Sequence, residues 1–88
     1  MTLVYDGERF VPGIGGVIEA EHLHRYLLAR EIASGRDVLD VACGEGYGSN
    51  LIAEVAQSVI GVDIADSAVA HARGKYARPN LRFRRMSR

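Results

Sequence analysis

Val38-Leu-Asp-Val-Ala-Cys-Gly-Glu-Gly-Tyr-Gly48 decides how the chain is read. Residues 38–43 form a short, mostly apolar run with β-branched valines, bounded by Gly35 and Gly44, as a strand buried on both faces does. Gly44, Gly46 and Gly48 follow at every second position. Residues 49–57 then suit a helix, with Ser49 or Asn50 as its N-terminal cap and Leu51, Ile52, Ala53, Val55 and Ala56 as its apolar face. A glycine-rich turn between a strand and a helix lets backbone approach a ligand, because no Cβ intervenes. Asp40 sits inside the strand, where a carboxylate is costly to bury unless donors reach it.

A second acid extends the pattern. Residues 58–64 read as another buried strand that ends in Asp63, 19 residues after Gly44. In doubly wound folds an acid about 20 residues beyond the glycine loop accepts hydrogen bonds from ribose hydroxyls, a task suited to a carboxylate because both oxygens accept. The glycine spacing departs from the dinucleotide fingerprint Gly-x-Gly-x-x-Gly, whose third glycine is replaced here by Ser49.

From Asp40 to Gly48 the chain resembles instead the first motif of class I S-adenosylmethionine-dependent methyltransferases, an acid followed by Gly-x-Gly-x-Gly. The resemblance covers residues 36 to about 85. It implies an α/β fold: a parallel three-stranded sheet in the order 3-2-1 with flanking helices, the first half of a Rossmann-like methyltransferase. It also implies S-adenosyl-L-methionine as the cofactor. On that resemblance Asp40 accepts from the cofactor's ammonium group, directly or through water, while Ala42, Gly44 and Gly46 line its methionine portion. Asp63 holds the ribose hydroxyls, Ile64 lies against the adenine, and Tyr47 closes over the pocket or packs beside it. Arg25 or Tyr26, on a preceding helix, would approach the methionine carboxylate. The family commonly places Gly-Asp soon after its third strand, to bond the adenine amino group, whereas Met86-Ser87 stands here. No residue is assigned a catalytic role, and nothing in the residues selects a methyl acceptor.

Around this centre, Pro12, Gly13, Gly15 and Gly16 mark residues 1–17 as an irregular N-terminal segment, leaving 18–88 as a partial Rossmann-like cofactor-binding domain. Residues 18–33 read as a helix with Leu23, Tyr26, Leu27 and Ile32 as its apolar stripe and Glu21–Arg25 as an i, i+4 pair, ended by Ser34-Gly35. Asp66 is the expected N-cap of a helix through about Tyr76, with Val69, Ala72 and Tyr76 on one side; Pro79-Asn80 then turns the chain into the alternating strand Leu81-Arg-Phe83-Arg. Alternating strands and helices with right-handed crossovers are read as a parallel sheet with helices on both faces. The first strand would be an open edge, so a homodimer or a complementary chain is expected to pair with it.

Composition narrows the classes further. At 88 residues, 48% hydrophobic and 25% charged, the chain suits one folded domain. Its one cysteine excludes a disulfide framework and a cysteine-based zinc site, which fits a reducing compartment and makes the cytoplasm the expected location. No run reaches the length of a membrane span, and the first residues do not read as a signal peptide. His22 and His24 are two apart, about 200° around a helix, and cannot share a metal. The net charge is zero, yet 7 of the 11 basic residues lie in the last 16 positions. Without interleaved aromatic platforms this basic end reads as a solvated helix terminus and a protected edge strand rather than a nucleic-acid surface. Two other functions stand beside the methyltransferase: a non-catalytic nucleoside-cofactor-binding or partner-assembly module, and a nicotinamide or flavin domain, which Asp40 and the position of Gly48 disfavour.

Overall fold

Two parallel pairings form the centre of the sheet. The computed structural model describes residues 2–5, 7–8, 10–12 and 22–87. Strand β3 (Asp37–Val41) runs parallel to β4 (Ser58–Asp63), which runs parallel to β5 (Leu81–Arg85). The N-terminal stretch adds a hairpin, β1 (Thr2–Tyr5) and β2 (Phe10–Pro12), and β1 lies antiparallel on the free side of β3. The five-stranded order is β2-β1-β3-β4-β5.

A sheet of three parallel strands only is therefore corrected to a mixed sheet, and residues 1–17 are not wholly irregular. Thr2-Leu-Val-Tyr5 and Phe10-Val-Pro12 are short runs of β-branched and aromatic residues, and Pro12 fits an edge strand because its missing N–H leaves no ladder bond broken. The expected partner for a bare β3 edge also loses its premise, since Leu3 faces Leu39 and Val4 faces Val38 across that edge.

Three helices connect and cover the strands: α1 (His22–Ala33), α2 (Tyr47–Ala53) and α3 (Asp66–Lys75). The first was expected to begin at residue 18; residues 18–21 and Glu21 of the expected ion pair lie outside the described residues. Within α1 the buried residues are Ala29 and Ala33, and Tyr26 packs half-buried against the core, whereas Leu27, Leu28 and Ile32 are exposed. Of the expected stripe Leu23, Tyr26, Leu27 and Ile32, Tyr26 therefore packs inward, Leu27 and Ile32 are corrected to exposed positions, and the Leu23 side chain lies outside the described residues. In α2 the N-cap is Gly46 and not Ser49 or Asn50, whose side chains bond elsewhere. In α3 the cap position is Ala65, and Asp66 pairs with Arg85 at 2.9 Å.

All three helices pack on one face. Val4, Val38, Val59, Leu81 and Phe83 from the sheet form a single buried cluster with Ala29, Ala33, Ile52, Ala53, Val69 and Ala72 from the helices. Helices on both faces were expected, and handedness explains the difference. Successive right-handed crossovers β3–α2–β4 and β4–α3–β5 progress in one direction along the sheet, so both place their helix on the same side. The opposite face carries Leu3, Leu39, Val41 and Val62, all half-buried, with Ile60 and the two arginines Arg82 and Arg84 exposed. Burial of Ile52 and Val59 on the covered side stabilises the fold by about 1.5–3 kcal/mol each.

Candidate functional site at the glycine turn

The turn between β3 and α2 is built by backbone geometry first. Cys43 N–H donates to the Val62 carbonyl at 2.9 Å, holding the turn on the end of β4, and Gly46 N–H donates back to the Cys43 carbonyl at 3.2 Å. Ala42 has φ 59, a left-handed conformation that costs an alanine about 1–2 kcal/mol and is held here by those bonds.

The three glycines answer to three different demands. At Gly44 (φ +59) an added Cβ would meet nothing within 4 Å among the described residues, so its backbone borders space that they leave open. At Gly46 (φ +94) a Cβ would lie 2.8 Å from Ala72 Cβ and from Phe83 Cζ, so this glycine lets the turn pack on α3 and β5. At Gly48 a Cβ would run into the Tyr26 ring, because the ring rests on the first turn of α2.

Asp63 ends β4 beside this turn. Its Oδ2 accepts from Gly44 N–H and its Oδ1 from Ala65 N–H, both at 2.9 Å. The Ala65 N–H first, then those of Gly44 and Ile64, hold its carboxyl below the usual carboxylate range, so it is ionised at neutral pH. It remains half-buried, and two carboxylate oxygens carry more acceptor capacity than two backbone donors fill. Tyr47 and Ile64 are exposed, at 52% and 45%, on the two sides of this carboxylate along the chain.

Asp40 has the opposite setting. It is 0% exposed. Ser49 Oγ–H donates to its Oδ2 at 2.7 Å, Tyr26 Oη–H to the same oxygen at 3.4 Å, and Thr2 Oγ1–H to Oδ1 at 3.3 Å. Burial pushes its carboxyl above the usual range, with these hydroxyls pulling the other way. Sequence reasoning identified the acid and its need for donors but missed Thr2 and Ser49; the donors lie 38 and 9 residues away.

The structure thus joins the turn that holds Ala42, Gly44 and Gly46 to Asp63, with the exposed Tyr47 and Ile64 next to Gly46 and Asp63 in the chain, and buries Asp40. Tyr26 points at Asp40 and Gly48. Burial first, then the charges of Asp40 and Asp63, push the Cys43 thiol up to about 11, which disfavours its thiolate. Among the described residues no group of three His, Cys, Asp or Glu is placed to hold a metal, and no helix is long and apolar enough to cross a membrane. The basic end forms a separate concavity of about 770 Å³ beside β5. Two of its arginines are committed to the fold: Arg73 donates twice to the Phe83 carbonyl, and Arg78 donates to Asn50 and Glu54.

A glycine turn at the carboxyl end of a parallel strand, followed by an acid at the end of the next, defines the Rossmann-like class of α/β folds. The family model for a methyltransferase domain matches residues 38–87, more than half of the chain, and the chain belongs to that family. It is 44% identical over 83 residues to a probable S-adenosylmethionine-dependent methyltransferase of Mycolicibacterium smegmatis, covering 92% of this chain and 32% of that protein. The same identity holds over 81 residues with a probable S-adenosylmethionine-dependent methyltransferase of Mycobacterium tuberculosis, Rv3030, covering 88% and 29%. The chain spans about a third of the length of these curated relatives. Among solved structures it is similar to an S-adenosylmethionine-dependent methyltransferase from Mesorhizobium loti (TM-score 0.57, 26% identity, 62% of this chain and 26% of that one). The YcgJ protein of Bacillus subtilis is similar too (TM-score 0.58, 26% identity, 75% and 31%).

Proposed function

We propose that this domain binds S-adenosyl-L-methionine at the glycine turn and forms the cofactor-binding part of a methyltransferase. The observation that carries the reading is the 2.9 Å bond from Gly44 N–H to Asp63, which joins a turn bordering open space to an ionised acceptor. The residues fit the cofactor. Asp63 is the acceptor for a ribose diol, and Ile64 is an exposed apolar side chain next to it for the adenine. The backbone of Ala42, Gly44 and Gly46, without side-chain bulk at Gly44, takes the methionine portion, and Tyr47 stands at the rim. Asp40 supports the turn from below. Naming of the relatives as S-adenosylmethionine-dependent enzymes supports the same choice.

When bound, the cofactor supplies an electrophilic methyl group on a sulfonium centre. What this chain's residues contribute is placement: Asp63 fixes the sugar and the glycine turn fixes the chain that carries the sulfur, which leaves proximity and orientation as the catalytic effect. Calorimetric titration of the full chain with S-adenosylmethionine, S-adenosylhomocysteine and NAD tests the reading. Saturable binding of both adenosyl compounds, with none for NAD, is expected; binding of NAD alone, or of nothing, would overturn it.

A further inference from the structure

We infer that Asp40 is a positioning residue: a buried clasp of Thr2, Tyr26 and Ser49 on its carboxylate, with Ser49 the closest donor, sets the shape of the glycine turn and through that shape the cofactor affinity. The inference rests on the proposed cofactor site and deepens it.

Four elements meet at this carboxylate. Thr2 lies opposite Asp40 in the β1–β3 register, Tyr26 descends from α1, Asp40 belongs to β3, and Ser49 to α2. Asp40 and Ser49 are both 0% exposed, so no ligand reaches either in this structure. The 2.7 Å bond from Ser49 to Asp40 ties together the two ends of the segment that contains Ala42, Cys43, Gly44 and Gly46. That bond closes the turn at its base, as Cys43 N–H to Val62 closes it at its side. Tyr26 adds a second restraint, since its ring occupies the space over Gly48 while its hydroxyl points to Asp40. The turn therefore presents Gly44 to Asp63 only while its base is drawn together. A carboxylate that accepts from three separate elements is a junction, and an amide in its place keeps the shape but not the acceptor set.

The test compares two ligands and one ligand-free signal. Ser49→Ala, Asp40→Asn and Tyr26→Phe are titrated, in the full chain and well below the melting temperature, with S-adenosylhomocysteine and with 5′-methylthioadenosine. The second ligand has neither ammonium nor carboxylate. Positioning through the turn weakens both ligands by the same factor, about tenfold for Ser49→Ala and Asp40→Asn and under about threefold for Tyr26→Phe, which keeps the ring on Gly48. Amide hydrogen exchange without ligand should quicken at Gly44 and Gly46 in the first two variants and stay unchanged in α3. Loss of S-adenosylhomocysteine binding in Asp40→Asn with 5′-methylthioadenosine unaffected would show direct contact with the ammonium and overturn the inference. Parental affinities in all variants, or unaltered exchange at the turn, would overturn it too. If the parent binds neither ligand, the cofactor reading fails, while the exchange measurement still decides whether the clasp shapes the turn.

Discussion

Asp40 and Asp63 are the same residue type near the carboxyl ends of neighbouring parallel strands, yet their surroundings shift their pKa values in opposite directions. Desolvation pushes Asp40 towards its neutral form, against the pull of its hydroxyl donors. Asp63 takes two backbone N–H bonds at the rim, which favour its charged form. Donor type and solvent decide which of the two acids is pushed towards its neutral form and which towards its charged form. In the sequence, spacing points to a ligand role for Asp63, and only the family resemblance implies one for Asp40.

The sharpest way to break this contrast is Asp63→Ala. Loss of charge-assisted acceptors at the rim should weaken S-adenosylhomocysteine about 30- to 100-fold in calorimetry. A parental affinity would remove Asp63 from the site. Next in size is Gly48→Ala. Its Cβ would meet the Tyr26 ring, and denaturant unfolding should show a loss of about 1–3 kcal/mol, markedly smaller when the same change is made in a Tyr26→Ala background and compared with Tyr26→Ala alone. An equal loss in both backgrounds would mean the ring does not select this glycine.

The pH dependence sharpens the contrast because the two acids have opposite signs. Folding raises the Asp40 pKa above its ordinary 3.8, so the stability linked to this group grows as pH falls through the folded value towards 3.8 and is lost as pH rises. Folding lowers the Asp63 pKa, so its contribution is present above 3.8 and is lost as pH falls through the depressed folded value. Asp40→Asn should therefore compare best with the parent at neutral pH and lose that relative advantage as pH falls towards 4, measured by urea midpoints; a pH-independent difference would refute the assignment. The smallest effect belongs to a third acid. Asp66 pairs with Arg85, but both are largely exposed, so Arg85→Ala should change stability by no more than about 1 kcal/mol.

Much of this was legible. The strand, the glycine turn and the acid at 63 stand next to one another in sequence, where local composition and spacing carry the information. The partners of Asp40 do not: Thr2 reaches it across 38 residues through a strand pairing that no local pattern announces. The N-terminal hairpin was hidden because its two strands are short and its glycines and Pro12 draw attention to breaks rather than to Leu3 and Val4. The cap residues were misread for a related reason, since the Ser49 and Asn50 side chains serve tertiary bonds that outweigh capping. The one-sided placement of the helices was available in principle, because two crossovers in one direction permit nothing else.

The side of the sheet that no described helix covers has a practical meaning for anyone handling this chain. Ile60 points away from the packed interior, yet it sits in the row Leu3–Leu39–Ile60–Arg82 at the middle of a greasy surface. Such a surface governs shelf life more than unfolding does. An Ile60→Lys change should leave the melting temperature nearly untouched while raising the concentration at which the protein stays clear and dimming the fluorescence of an added hydrophobic dye.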